Sequence, residues 1–173
     1  MKIEHIRDVK IITLDTYKDE RGFFVEKFNK TILEETQDFV QDNHSRSKAG
    51  VIRGLHYQYE PSQAKLVSVA RGKIYDVIVD IRPKSPSFGK WICFMLDETK
   101  ILWVPSGFAH GFCALEESDV IYKVTESYNP KTEEGIRFDD PDLNIYWPCN
   151  DPIVSTRDLE LQSFREYMLN PRY

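Results

Sequence analysis

Lys65-Leu66-Val67-Ser68-Val69-Ala70, then Arg71-Gly72-Lys73, then Ile74-Tyr75-Asp76-Val77-Ile78-Val79-Asp80-Ile81 is the run that decides the fold class: a strand, a turn and a second strand. The same pattern continues on both sides. Residues 51–58, 91–96, 101–104 and 120–125 are further short β-type segments separated by turn residues. Several short strands at close spacing predict an all-β sandwich or barrel. Helical periodicity is confined to residues 29–39 and 159–169, with Asp158 standing where an N-cap would sit for the second of these. The expected architecture is therefore a single domain over residues 1–173, a β-barrel or jelly roll with short helices at both ends. The last residues, Leu169-Asn170-Pro171-Arg172-Tyr173, are expected to be a frayed tail or a partner contact.

Composition narrows the function. A net charge of -5 argues against nucleic acid as a partner, because phosphate backbones are bound through a basic surplus. A small phosphate ligand stays open, since it needs only a few well-placed arginines. Cys93, Cys113 and Cys149 form no CxxC, which fits a reduced compartment better than a disulfide framework. Met1-Lys2-Ile3-Glu4-His5-Ile6-Arg7 lacks the apolar core of a signal peptide, and no run approaches the roughly 18 apolar residues of a membrane span. A cytoplasmic protein with no membrane partner is expected. Small barrels often cover an exposed sheet face by pairing, so a homodimer is expected too.

Polar residues interrupt the barrel where apolar ones belong. On strand 74–81, Asp76 shares a face with Ile74, Ile78 and Asp80, while Tyr75, Val77, Val79 and Ile81 fill the other. A carboxylate there needs a partner: a backbone group, Lys65, Arg71, or a role in a site. In Val51-Ile52-Arg53-Gly54-Leu55-His56-Tyr57-Gln58, regular alternation puts Arg53 and His56 on opposite faces, whereas a bulge at Gly54 would turn both into one cavity. A lone strand histidine is more often structural than catalytic, but the Arg, Gly and Gln beside His56 weaken that reading. Pro105-Ser106-Gly107-Phe108-Ala109-His110 has the PxGxxH spacing that resembles the second motif of cupin barrels, where the histidine binds a metal. The first cupin motif needs two histidines, and here Gln58 stands where the second would be. Two histidines without added carboxylates make a poor metal site. The barrel is expected to be cupin-like without a metal, leaving His110 to hydrogen-bond.

A resemblance runs through the chain in order. It is carried by Asp19-Glu20-Arg21-Gly22-Phe23-Phe24-Val25-Glu26, Gln41-Asp42-Asn43-His44-Ser45-Arg46-Ser47, Arg53-Gly54-Leu55-His56-Tyr57-Gln58 and Gln63-Ala64-Lys65-Leu66-Val67. Val79-Asp80-Ile81-Arg82, Ser85-Pro86-Ser87-Phe88-Gly89-Lys90-Trp91, the PxGxxH cluster, Tyr128-Asn129-Pro130, Asp140-Pro141-Asp142-Leu143 and Ile145-Tyr146-Trp147-Pro148 continue it. Together they resemble the dTDP-4-dehydrorhamnose 3,5-epimerase family. The resemblance implies a cupin-type jelly roll, usually dimeric, that needs no cofactor. It also implies a nucleoside-diphosphate 4-keto-6-deoxy sugar as substrate, with protons removed at carbons 3 and 5 and returned on the opposite face.

Proton removal beside a ketone needs a base, a partner for the enolate oxygen and an acid. By resemblance, His56 is the base. Its orienting carboxylate is Asp158 of Ser155-Thr156-Arg157-Asp158, with helix capping as that residue's alternative and Asp76 as a second candidate. Lys65 would hold the enolate, His110 would support the same oxygen or the sugar, and Tyr128 would be the acid. Without the resemblance, Tyr128 reads as an amphipathic rim residue. Arg21 and Arg53 match the diphosphate grip; Glu26, Gln41 and Asn43 match the nucleotide or sugar end. Phe23 would stack on the base, from the partner subunit or its own, and Arg157 is a further binding candidate. A surface salt bridge is the alternative for each arginine. A single-site epimerase acting on another nucleotide sugar, a sugar 3,4-ketoisomerase, a metal-dependent cupin enzyme and a non-catalytic sugar-nucleotide-binding cupin remain as alternatives. Tyr128 and the Arg53-Gly54-Leu55-His56 run argue against the ketoisomerase.

Overall fold

The computed structural model describes residues 1–6, 8–33 and 38–173. In chain order the elements are β1 (Lys2–Ile6), β2 (Val9–Thr13), β3 (Thr16–Asp19), β4 (Gly22–Val25), α1 (Lys30–Leu33), β5 (Gln41–Ser47), β6 (Ile52–Gln58) and β7 (Lys65–Arg71). They continue as β8 (Ile74–Asp80), β9 (Trp91–Leu96), β10 (Lys100–Val104), β11 (Phe108–Ala114), β12 (Ser118–Val124), β13 (Glu133–Gly135), α2 (Thr156–Leu159) and α3 (Phe164–Leu169). A six-stranded sheet in the order β1-β2-β10-β7-β12-β5 faces a five-stranded sheet in the order β13-β6-β11-β8-β9, all antiparallel; β3 and β4 form a separate hairpin. This is the expected jelly roll. The turn at Arg71-Gly72-Lys73 is not a hairpin, because β7 belongs to one sheet and β8 to the other. It is a corner at which the chain crosses the sandwich.

Alternation along the strands builds three apolar layers. Val67, Val69, Leu102, Val104 and Val120 from the larger sheet meet Ile74, Ile78, Phe108 and Phe112 from the smaller one. The other face of β8 (Tyr75, Val77, Val79) lies under the C-terminal segment through Phe138, Leu143, Phe164 and Tyr167. That second cover is why β8 is apolar on both faces and wholly buried. Leu66, Ile101 and Trp103 face outward on the larger sheet, against Phe28 and Phe39.

The ends of the chain depart from expectation. Of the helix expected over residues 29–39, only α1 is observed, and residues 34–37 lie outside the described residues. The C-terminal helix expected over 159–169 is observed only as α3, and α2 precedes it. Ser155 caps α2 by accepting from the Asp158 N–H, and Ser163 caps α3 in a reciprocal capping box with Glu166. Asp158 is therefore inside the first turn of α2, not an N-cap. The final residues are docked rather than frayed: the Tyr173 hydroxyl donates to the Gln58 carbonyl at 2.6 Å, and Arg172 pairs with Glu134. Among the described residues, no helix is long and apolar enough to cross a membrane.

Candidate active site

At one end of the sandwich the two sheets part around a cavity of about 410 Å³. Its two walls are chemically different. The smaller sheet supplies Arg53 and His56 from β6 and His110 and Phe112 from β11. The larger sheet supplies Gln41, Asn43 and Ser45 from β5, Lys65 from β7, and Val120 and Tyr122 from β12. Gln63, Gly111, Tyr128, Glu133, Ser155, Arg157 and Asp158 complete the lining.

Arg53 and His56 share this cavity because β6 carries an extra residue. His110 pairs with His56 and Phe112 with Arg53, so three steps along β6 oppose two along β11. The bulge brings backbones into close approach. A Cβ on Gly54, where φ is +120°, would lie 2.5 Å from the Gly111 Cα, and one on Gly111 would lie 2.6 Å from the Arg53 carbonyl oxygen. Only glycine fits either position.

Asp158 reaches this bulge from α2. Its Oδ1 lies 2.7 Å from His56 Nε2, and its Oδ2 accepts the Gly54 N–H at 3.1 Å. Burial pushes this carboxyl up, but the His56 hydrogen bond, the imidazole's charge and the Gly54 amide outweigh it and hold the group below its ordinary value. An ionised carboxylate can only accept, so Nε2 donates to it, and in the neutral ring the lone pair is on Nδ1. Asp76, the second candidate for this task, does something else. Its Oδ2 lies 2.8 Å from His110 Nε2, and among the described residues its Oδ1 has no hydrogen-bond partner. Burial drives its carboxyl upward against the pull of His110 and Lys65.

Lys65 is buried, with its Nζ donating to the His56 carbonyl at 3.4 Å, a long contact. It stands on the wall opposite His56. Gln41 donates to Asn43 and accepts the Tyr128 N–H, while Arg53 is steadied by Ser47 and the Arg46 carbonyl. Arg157 is paired with Glu133 at the cavity rim. Gln58 is structural: its side chain donates to the Pro61 and Ser127 carbonyls and accepts the Asn129 N–H, pinning the loop that carries Tyr128.

The model of the dTDP-4-dehydrorhamnose 3,5-epimerase family matches residues 4–166. The chain belongs to this family. It is 47% identical over 167 residues to the dTDP-4-dehydrorhamnose 3,5-epimerase of Shigella flexneri, covering 92% of each chain. The crystal structure of the Legionella pneumophila 3,5-epimerase in complex with dTDP-4-keto-L-rhamnose superposes with a TM-score of 0.91 at 43% identity, covering 99% of this chain and 98% of that one. A 3'-monoepimerase from Streptomyces bikiniensis, in complex with dTDP-quinovose, gives 0.90 at 29% identity, covering 98% and 90%.

Of the family residues expected from sequence, His56, Lys65, Asp158, Arg53, His110, Gln41, Asn43, Tyr128 and Arg157 converge on the cavity. Arg21, Phe23 and Glu26 do not. Arg21 and Phe23 sit on the β3–β4 hairpin with its own shallow hollow, Arg21 paired with Asp19, while Glu26 accepts from Asn29. Sequence reasoning missed Tyr122 and Glu133. Tyr122 follows Val120 with a period of two on an otherwise apolar inward face, and that misplaced hydroxyl was its only signal.

Proposed function

We propose that this chain is an epimerase that inverts carbons 3 and 5 of dTDP-4-dehydro-6-deoxy-D-glucose, giving dTDP-4-dehydro-L-rhamnose, without a cofactor or a metal. One observation carries the chemistry: a histidine oriented by a buried carboxylate faces a buried lysine across a cavity sized for a small ligand. His56 Nδ1 takes the proton beside the ketone. The electron pair moves onto the ketone oxygen, and Lys65, with His110, offsets that charge. A proton then returns to the same carbon from the other face.

The returning acid has to stand opposite the base. Tyr128 is half exposed at the mouth, and its N–H is tied to Gln41. Tyr122 projects from the larger sheet, on the wall facing His56, and burial with the Glu133 charge pushes its phenol upward, so it holds its proton. The geometry favours Tyr122 as the acid and leaves Tyr128 as an aromatic rim for the nucleotide. Arg53 and Arg157 suit the diphosphate. Arg21 and Phe23 would complete the nucleotide end from a second copy, in a cytoplasmic homodimer.

Incubation with the 4-keto sugar nucleotide in heavy water tests this reading. Deuterium at both carbons is expected; label at one carbon would make the chain a single-site epimerase, and none would leave a binding protein. Tyr122→Phe should keep exchange but lose inversion, whereas Tyr128→Phe should mainly raise KM. The opposite pattern would return the acid to Tyr128. Stoichiometric zinc, iron or nickel in active protein would overturn the metal-free mechanism.

A further inference from the structure

We infer that Glu133 is a positioning residue that keeps Lys65 cationic inside the cavity and thereby sets the alkaline limit of the reaction. The inference rests on the reading of Lys65 as the enolate's partner. An oxyanion is stabilised by the protonated amine, yet Lys65 is buried and, among the described residues, its one hydrogen bond is a long contact to a neutral carbonyl. Burial lowers its pKa, and the carboxylates that oppose this are Glu133 first and Asp76 second. Asp76 is the weaker guarantor. It is wholly buried, its oxygen Oδ2 is engaged by His110, and burial favours its own neutral form. Glu133 is different. It lies on β13, which pairs with β6 so that Glu133 sits opposite Gln58, and Arg157 of α2 grips its carboxylate. The ion pair holds the Glu133 carboxylate at the cavity wall of the smaller sheet, beside the strand whose His56 carbonyl the lysine reaches.

The other ionisable groups around the cavity are Arg53 and His56 from β6, His110 from β11, Tyr122 from β12, Tyr128 from the following loop, and Arg157 and Asp158 from α2. The arginines and any protonated histidine disfavour a charged lysine. Asp158 is engaged by His56 and the Gly54 amide. That leaves Glu133 as the carboxylate whose removal should be felt most at Lys65.

The sign is fixed: Lys65 serves below its folded pKa and fails as pH rises through it. Deleting the Glu133 charge lowers that pKa, so the alkaline limb should move to lower pH. Glu133 also acts on Tyr122, so the amine must be observed directly. Protein carrying lysine labelled with carbon-13 at Cε would be titrated by NMR without substrate, and the Lys65 signal assigned by its absence in Lys65→Met. In Glu133→Gln the Lys65 midpoint should fall by about one pH unit, a tenfold change in protonation constant, with Glu133→Asp intermediate. With substrate, the alkaline limb of kcat should move to lower pH by the same amount as the Lys65 midpoint. An unchanged Lys65 midpoint in a folded Glu133→Gln protein, or an alkaline limb of kcat that does not move, would overturn the inference. If the wild type turned over no substrate, the functional reading would fail while the titration still decided the role of Glu133.

Discussion

Asp158 accepts from the ring of His56 and from the amide of Gly54, so the residue that orients His56 also ties down the bulge that places it. Its N–H is meanwhile held by Ser155, so side chain and backbone are both fixed. Asp158→Asn keeps the size of the group but can present an N–H to the imidazole, favouring the wrong tautomer. A fall in kcat of about 10²–10⁴ is expected with little change in KM, and steady-state kinetics would check it. A change confined to KM would mean that Asp158 serves binding. That His56, Asp158, Lys65 and Arg53 belong to one cavity was legible in sequence, because each interrupts an apolar pattern or falls in an ordered motif. Tyr122 was not, because two tyrosines six positions apart, Tyr122 and Tyr128, differ only in which one lies on an inward strand face, and that is a fact of register.

Among the elements, β8 declared itself through apolar residues on both faces, and β5 did not declare itself at all. Gln41, Asn43 and Ser45 alternate inward with no hydrophobic signal because they line a polar cavity rather than a core. The C-terminal helix was mis-set because the capping box at Ser163 starts α3 inside the expected run of 159–169, while α2, capped by Ser155, ends where that run begins. The end of β8 carries a further test. Asp80 is wholly buried, with Arg82, Ser85 and Ser87 donating to its carboxylate, which burial raises but these bonds lower to about 2. Its folded pKa is below the unfolded one, so its stabilisation is full above about pH 4 and lost as pH falls through about 2. Asp80→Asn should lower Tm by on the order of 5–10 °C near pH 7, and the gap to wild type should shrink in melts taken toward pH 2. A gap independent of pH would show that shape, not charge, matters there.

For the whole molecule, the unusual surface is the β3–β4 hairpin, where Tyr17, Phe23 and Phe24 are 65%, 52% and 68% exposed. Neighbouring exposed aromatics on a detached hairpin suit burial against a second copy. Sedimentation should give a dimer, and Phe23→Ala should raise KM about tenfold or more through lost base stacking. If the hairpin enters the partner's cavity, mixing Phe23→Ala with His56→Ala subunits should recover activity, because each mixed dimer holds one intact site; no recovery would place the hairpin over its own cavity. The contact between His56 and Asp158 spans 102 positions of chain, among the longest loops in the fold. Asp158 lies in α2, beyond the last strand, so both sheets can form while His56 still lacks its carboxylate. As the protein is synthesised, the barrel's strands leave the ribosome before the segment that arms them. A chain arrested just short of Ser155 would therefore fold around a site that does not work, and refolding followed by activity should lag behind refolding followed by β-structure.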